Sequence, residues 1–246
     1  DFMLHLPQLF PDEWRYRRAQ GSLAWQLDEE GARLWSPYVQ LEGEEGQLAG
    51  DFMLRFAHDP EAEDYLDVRV SLRDGDARFA GKYLPTVSPA LSPALAEWLQ
   101  AALRGGSIEQ GFFQYQGALN AGVAREARSL GLYFKVREAE LDYQPGWPAL
   151  HEGRGELFVE DTGVRVDLSA GRMLDSRIEQ ADISIPHAKP GQPSRLYADS
   201  RLRSSVTDGL RILQDSPLPT AEAFAGWEGD GDVAAELRLD IPLAAG

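Results

Sequence analysis

Leu66, Val68, Val70 and Leu72 alternate with Asp67, Arg69, Ser71 and Arg73, and the run stops at the turn-like Asp74-Gly75-Asp76. The same period of two recurs along the chain. It appears at Leu23, Trp25 and Leu27, at Phe52, Leu54 and Phe56, and at Phe113 and Tyr115. Later it returns at Leu132, Phe134 and Val136, at Val164, Val166 and Leu168, at Ile183 and Ile185, and at Val233 to Ile241. Successive side chains of a strand point to opposite faces, so each run has one apolar and one wet face. Such strands, punctuated by Gly, Asp and Pro, belong to antiparallel sheets with one solvated side. The expected fold is therefore mainly β.

One run changes phase. After Val136 the apolar positions move to Ala139, Leu141 and Tyr143. A β-bulge does this, bending the strand while keeping its apolar side on the same face. Two helices interrupt the strand pattern. Ser92 and Pro93 predict a helix start, and Gly105 its end, with Leu95, Trp98, Leu99, Ala102 and Leu103 as the apolar stripe of Ser92–Arg104. A shorter helix is expected over 205–214, with Val206, Leu210 and Leu213 on one side. In both places strands lead to a short helix, a turn and a return strand, Ser107–Leu119 in the first round and Gly229–Leu243 in the second. The repetition divides the chain into two expected modules, 1–120 and 121–246, joined near Asn120 to Ser129.

The chemistry-bearing residues form no recognisable constellation. With 40 acidic against 24 basic residues and a net charge of −16, the chain lacks the Lys/Arg-rich face that nucleic acid demands. There is no cysteine, hence no disulfide, thiolate metal site or cysteine nucleophile. No apolar run is long enough for a spanning helix. The chain begins at Asp1 without a signal-peptide pattern, and reads as an internal piece of a longer protein. His5, His58, His151 and His187 lie far apart, without metal-ligand spacing. Glu228-Gly229-Asp230-Gly231-Asp232 lacks the later glutamate of a calcium loop and reads as a turn. The acidic run Asp59–Asp64 reads as a solvated loop, and Trp147, between Gly146 and Pro148, as a plug at a sheet end. No catalytic residue, metal or cofactor is expected.

The apolar faces remain as the signal. They suit the interior of a closed β-sandwich, and equally an open groove that holds an apolar ligand; periodicity does not separate the two.

Several motifs in order carry a resemblance. They are LHLPQLFP (Leu4–Pro11), KYLP (Lys82–Pro85), SPALAEWLQAAL (Ser92–Leu103), GGSIEQGFFQYQGAL (Gly105–Leu119), LDYQPGWPAL (Leu141–Leu150), DGLRILQDSPL (Asp208–Leu218) and LDIPL (Leu239–Leu243). Together they resemble the YhdP branch of the AsmA-like proteins of Gram-negative bacteria, over nearly the whole chain. The resemblance implies an elongated, curved antiparallel sheet forming a groove with an apolar interior. It also implies a periplasmic segment of a longer chain, anchored in the inner membrane by a helix outside this sequence. Such a segment would pass phospholipid toward the outer membrane, with adjoining modules continuing the groove. The expected lining is Phe113, Tyr115, Leu132, Phe134, Val136, Val164, Val166 and Leu168, continued by Leu66, Val68, Val70, Leu237 and Leu239. Two other readings compete: an envelope scaffold built as a closed sandwich, and an envelope hydrolase with a converging acidic pair.

Overall fold

Each alternating segment pairs with the next along the chain, and the pairing continues until almost every strand shares one sheet. The computed structural model describes residues 2–5, 12–59, 61–83, 97, 101–120, 127–143, 145–187, 192–217 and 220–243. Two short strands, β1 (Phe2–Leu4) and β2 (Trp14–Tyr16), pair with each other. The remaining strands are β3 (Arg18–Leu27), β4 (Gly31–Gly43), β5 (Gly46–Ala57), β6 (Tyr65–Asp76), β7 (Leu103–Ala118) and β8 (Arg128–Leu141). They continue as β9 (Leu150–Glu160), β10 (Gly163–Met173), β11 (Ser176–Ile185), β12 (Arg195–Ser205) and β13 (Asp232–Pro242). These eleven form one antiparallel meander in chain order, with β3 and β13 at its two edges. The sheet is open: β3 and β13 do not pair with each other.

A closed sandwich is therefore not what this chain builds. The chain exposes 16232 Å², against roughly 10,900 Å² expected for a compact monomer of its mass. Fully buried apolar residues are few among the described ones, and one small cluster, Leu168, Ile178 and Ala181 with Leu150, Met173 and Ile183 packed around it, forms a core.

That cluster sits where the sheet is creased. The pairing slips between Ile108 and Gln110, between Val136 and Ala139, between Leu168 and Ala170, and between Ile178 and Gln180. The slip after Val136 is the bulge the sequence predicts, with Glu138 at a φ of 53°. These irregularities lie in a row across β7 to β12, and a bulge bends its strand and increases its twist. Aligned bulges bend the β7 to β12 part of the sheet along one line while Ala139, Gly171 and Ile178 stay on the apolar side.

Both chain excursions that carry helices leave the sheet at one rim. After β6 comes a 3-10 turn, Ala77–Phe79, and a short helix, Ala80–Tyr83. The predicted helix Ser92–Arg104 lies largely outside the described residues; Glu97 and Ala101–Ala102 are helical, but Leu103 and Arg104 already belong to β7. There Leu103 pairs with Leu141, so sheet pairing ends the helix before Gly105 does. The second helix, Val206–Asp215, follows β12 as expected, with the Ser205 side chain accepting from the Asp208 amide at its start. Asp208, 2% exposed, fixes it to the β10–β11 turn by accepting from the Asp175 amide (3.0 Å) and Ser176 Oγ (2.7 Å). Replacing Asp208 with alanine leaves the Asp175 amide unsatisfied and the Ser176 hydroxyl with Ser204 alone (2.7 Å), and urea unfolding is expected to show a loss of about 2 kcal/mol.

At the β3 end, β1 and β2 close a polar corner. Tyr16, 3% exposed, shares a 2.8 Å hydrogen bond with the Tyr83 hydroxyl, and Lys82 lies over both rings while pairing with Glu45. Burial pushes the Tyr16 phenol up to about 12 and the Tyr83 phenol further still, the latter aided by Tyr16 itself. Burial also works to raise Glu45, but the Lys82 hydrogen bond and charge outweigh it and hold the carboxyl below its ordinary 4.5. A depressed acid stabilises the fold above its unfolded pKa, and that contribution is lost as pH falls through the lowered folded value. Acidification from pH 6 to pH 3 is thus expected to lower the amide-exchange protection factor at Tyr16, the rate being corrected for its intrinsic fall with pH, and Glu45→Gln to weaken that pH dependence.

Candidate functional site

The register decides which side chains share a face. Val68 lies opposite Phe52 and Tyr115, and Tyr115 opposite Leu130. The next row runs Val70, Phe113, Leu132, Val159, Val164 and Ile185. The row after it runs Leu72, Gly111, Phe134, Leu157, Val166, Ile183, Ala198 and Leu239. A fourth links Val136, Gly155, Leu168, Ala181, Ser200 and Leu237. Leu66 joins through Leu54 and Gly117. All thirteen residues expected to line a groove therefore lie on one face of the eleven-stranded sheet.

The opposite face is wet. Its rows read Asp51, Arg69 and Gln114, and Gln47, Arg73, Gln110, Lys135, Glu156, Asp167, Asp182, Asp199 and Arg238. Ion pairs cross between strands there, as in Arg69–Asp51 at 2.8 Å and Arg195–Asp240 at 2.8 Å. Tyr133 packs on Phe158, 5.0 Å between ring centres, and Arg165 lies 4.2 Å above Phe158. Exposed pairs of this kind stabilise the ladder by modest amounts each.

The apolar face has almost no polar interruption. Ser36, Ser176, Ser200 and Ser204 are small, and Tyr115 turns its hydroxyl onto the Ala118 carbonyl at 2.7 Å. Among the described residues, Arg128 is the one charged side chain at a paired position on this face, opposite Gly117. Of the thirteen positions expected to line a groove only Leu168 is buried, while Leu237 is exposed and the rest are half-buried. Side chains shield one another laterally, and among the described residues no second layer of sheet lies over them.

Two glycines show how closely this face is built. A Cβ on Gly50 would stand 2.2 Å from the Arg69 carbonyl oxygen, so β5 and β6 approach there as only glycine allows. A Cβ on Gly111 would stand 2.8 Å from the Phe134 ring, which lies across the vacant position between Leu72 and its own strand. An aromatic over a strand glycine fills the gap that the glycine opens in the sheet.

Sequence reasoning missed part of the face. Leu34, Val39 and Leu41 of β4, Leu157 and Val159 of β9, and Leu196, Ala198 and Leu202 of β12 all contribute to it. Three of the residues weighed for other chemistry have ordinary partners. His151 Nδ1 meets Glu140, His187 Nδ1 meets Thr162 at 2.9 Å, and Asp230 accepts from the Gly231 amide at 2.8 Å. Trp147 is half-buried in the loop after β8, where Gly146 packs on Pro217 beyond the second helix. Among the described residues no three His, Asp or Glu side chains converge as metal ligands, and no helix is long and apolar enough to cross a membrane.

Comparison with known proteins adds a family to this geometry. The chain is 25% identical over 240 residues to the intermembrane phospholipid transporter YhdP of Escherichia coli (strain K12), covering 91% of this chain and 17% of that protein. The chain thus spans about a sixth of the length of the curated relative it matches. No solved structure matches it. The family described as YhdP protein matches along residues 1–246, from one end of the sequence to the other. By that match over its whole length, this open, one-sidedly apolar sheet belongs to the YhdP family.

Proposed function

We propose that this chain is one segment of a periplasmic lipid conduit, in which phospholipid acyl chains slide over the apolar face of the sheet. The observation that carries the reading is the single continuous face from Leu66 to Leu239, apolar across the eight strands β6 to β13 and without a second layer of sheet over it among the described residues. The relative's description as a phospholipid transporter supports the same ligand. Burying a methylene contributes about 0.8 kcal/mol, so half-covering ten of them gives about 4 kcal/mol, enough to hold a lipid and weak enough to release it. Repeated Leu, Val and Phe contacts of similar depth favour sliding over arrest at one pocket. This role is one of carriage rather than catalysis.

The edges of the sheet support continuation by adjoining modules of a longer chain. Trp25 and Leu27 on β3 are 75% and 72% exposed, and Leu237 and Ile241 on β13 are also exposed. Long edge strands with exposed apolar residues invite pairing with a further strand. Two modules, 1–120 and 121–246, would each end in a helical excursion and a return strand, β7 and β13. The segment's place between an inner-membrane anchor and the outer membrane follows from the same reading. Incubating the purified chain with phosphatidylethanolamine vesicles, re-isolating it and extracting it into organic solvent tests the proposal. Phospholipid in the extract is expected; a lipid-free protein, as for a scaffold, contradicts it.

A further inference from the structure

Arg128 is out of place on a face otherwise free of charge. It starts β8 at the rim away from the helical excursions, opposite Gly117 and one step along from Tyr115 and Leu130. A Cβ on Gly117 would stand 2.6 Å from the Arg128 Cα, so the backbone there is held close to β7. The guanidinium donates from Nη2 to the Asn120 carbonyl, its Nε is buried without an acceptor, and no carboxylate among the described residues pairs with it. Its charge reaches the Tyr115 phenol, which burial raises above its ordinary value and Arg128 pulls the other way. Eleven other arginines of the described chain form ion pairs on the wet face or in loops. A half-buried cation with an unanswered donor at the border of an apolar surface lacks an anion.

The rim on either side is acidic. The loop from β5 to β6 carries Asp59, Glu61, Glu63 and Asp64, and it is tied to the Arg128 site. The Asp64 amide donates to Asn120 Oδ1 (2.6 Å), and the Leu119 amide to the Asp64 carbonyl (2.9 Å). On the other side Asp161 accepts from the Leu130 amide at 2.9 Å. One cation set among carboxylates matches a headgroup that carries a phosphate followed by an ammonium. A headgroup with phosphate alone would meet the same Arg128 but also the uncompensated acidic loops.

Building on the proposed lipid conduit, we infer that Arg128 receives the phosphate of a passing zwitterionic phospholipid, whose ammonium faces the Asp59–Asp64 loop. The headgroup then rides at the Arg128 rim, and the acyl chains lie inward over Tyr115, Phe113 and Phe134. A guanidinium donates two parallel hydrogen bonds to phosphate oxygens where an ammonium is only a point charge.

The test offers the purified chain mixed vesicles of phosphatidylethanolamine, phosphatidylglycerol and diacylglycerol, then counts each lipid carried off. The unaltered chain is expected to take phosphatidylethanolamine over phosphatidylglycerol by severalfold. Arg128→Gln should cut phospholipid capture about tenfold and leave diacylglycerol capture unchanged, and Arg128→Lys should retain an intermediate part. Glu61→Gln with Glu63→Gln, both on an exposed loop, should move the phosphatidylethanolamine to phosphatidylglycerol ratio toward one without touching the packed residues. Unchanged phospholipid capture by Arg128→Gln, or an unchanged ratio in the loop variant, overturns the inference. So does Arg128-dependent binding of inorganic phosphate alone with lipid capture unaffected. If the unaltered chain takes up no lipid at all, diacylglycerol included, the conduit reading itself falls.

Discussion

Val166→Asp is expected to reduce phospholipid bound by the chain ten- to a hundredfold while the sheet still folds. Val166 stands in the middle of the apolar face, between Leu157 and Ile183, and is half-buried with no second layer of sheet above it among the described residues. In the lipid-free protein an aspartate there keeps much of its water, so folding loses only part of a valine's burial, about 1 kcal/mol. Under an acyl chain the carboxylate loses that water without gaining a partner, which costs at least 1–3 kcal/mol. Every 1.4 kcal/mol is a factor of about ten in affinity. Phe134→Asp acts in the same direction and in addition uncovers Gly111, so it should also lower the urea midpoint. Lipid counting beside urea unfolding separates the two effects. Full lipid capture by a folded Val166→Asp chain would remove this residue from the path.

The second large effect is on the sheet itself. Gly50→Val puts a Cβ within 2.2 Å of the Arg69 carbonyl oxygen and 3.1 Å of the Val70 Cα, both backbone atoms that cannot turn aside. The β5–β6 ladder must shift to admit it, and a loss of about 3 kcal/mol or more is expected. Gly209 is the contrasting case: it sits inside the helix Val206–Asp215 with no atom within 4 Å of an added Cβ. Gly209→Ala should therefore stabilise by up to ~1 kcal/mol. Urea unfolding of the two variants checks both signs, and a Gly50→Val midpoint equal to that of the unaltered chain would contradict the close approach.

The sheet's character was legible because alternation was strict wherever one face met water. Leu66–Leu72 and Val164–Leu168 announce both strand and face in four or five residues. The bulge after Val136 was legible too, since the phase of the apolar residues records it. Strand β4 was hidden because Pro37 and the slip between Ser36 and Val39 break its alternation into Leu34-Trp35 and Tyr38-Val39. Strand β9 hides behind Gly153 and Gly155, which hold inward positions without an apolar side chain. In β12 the inward residues include Ala198 and Ser200, too small to stand out. What no run of residues records is openness. Leu237 in a sandwich and Leu237 on an open face have the same neighbours in sequence, and only the order of strand pairing distinguishes them. Arg128 was illegible for a related reason: its face depends on pairing with Gly117, at the end of a strand.

Placing a photo-crosslinking residue at single positions on each face, in the chain expressed in cells, tests the central claim most directly. Phe113, Phe134, Val166 and Leu239 sample the apolar face; Tyr133, Lys135, Arg165 and Arg238 sample the wet one. Phospholipid adducts at the first four and none at the second four are the predicted result. Adducts to protein at Phe134 and Val166, or lipid adducts equal on both faces, would contradict a lipid path along the apolar side of the sheet.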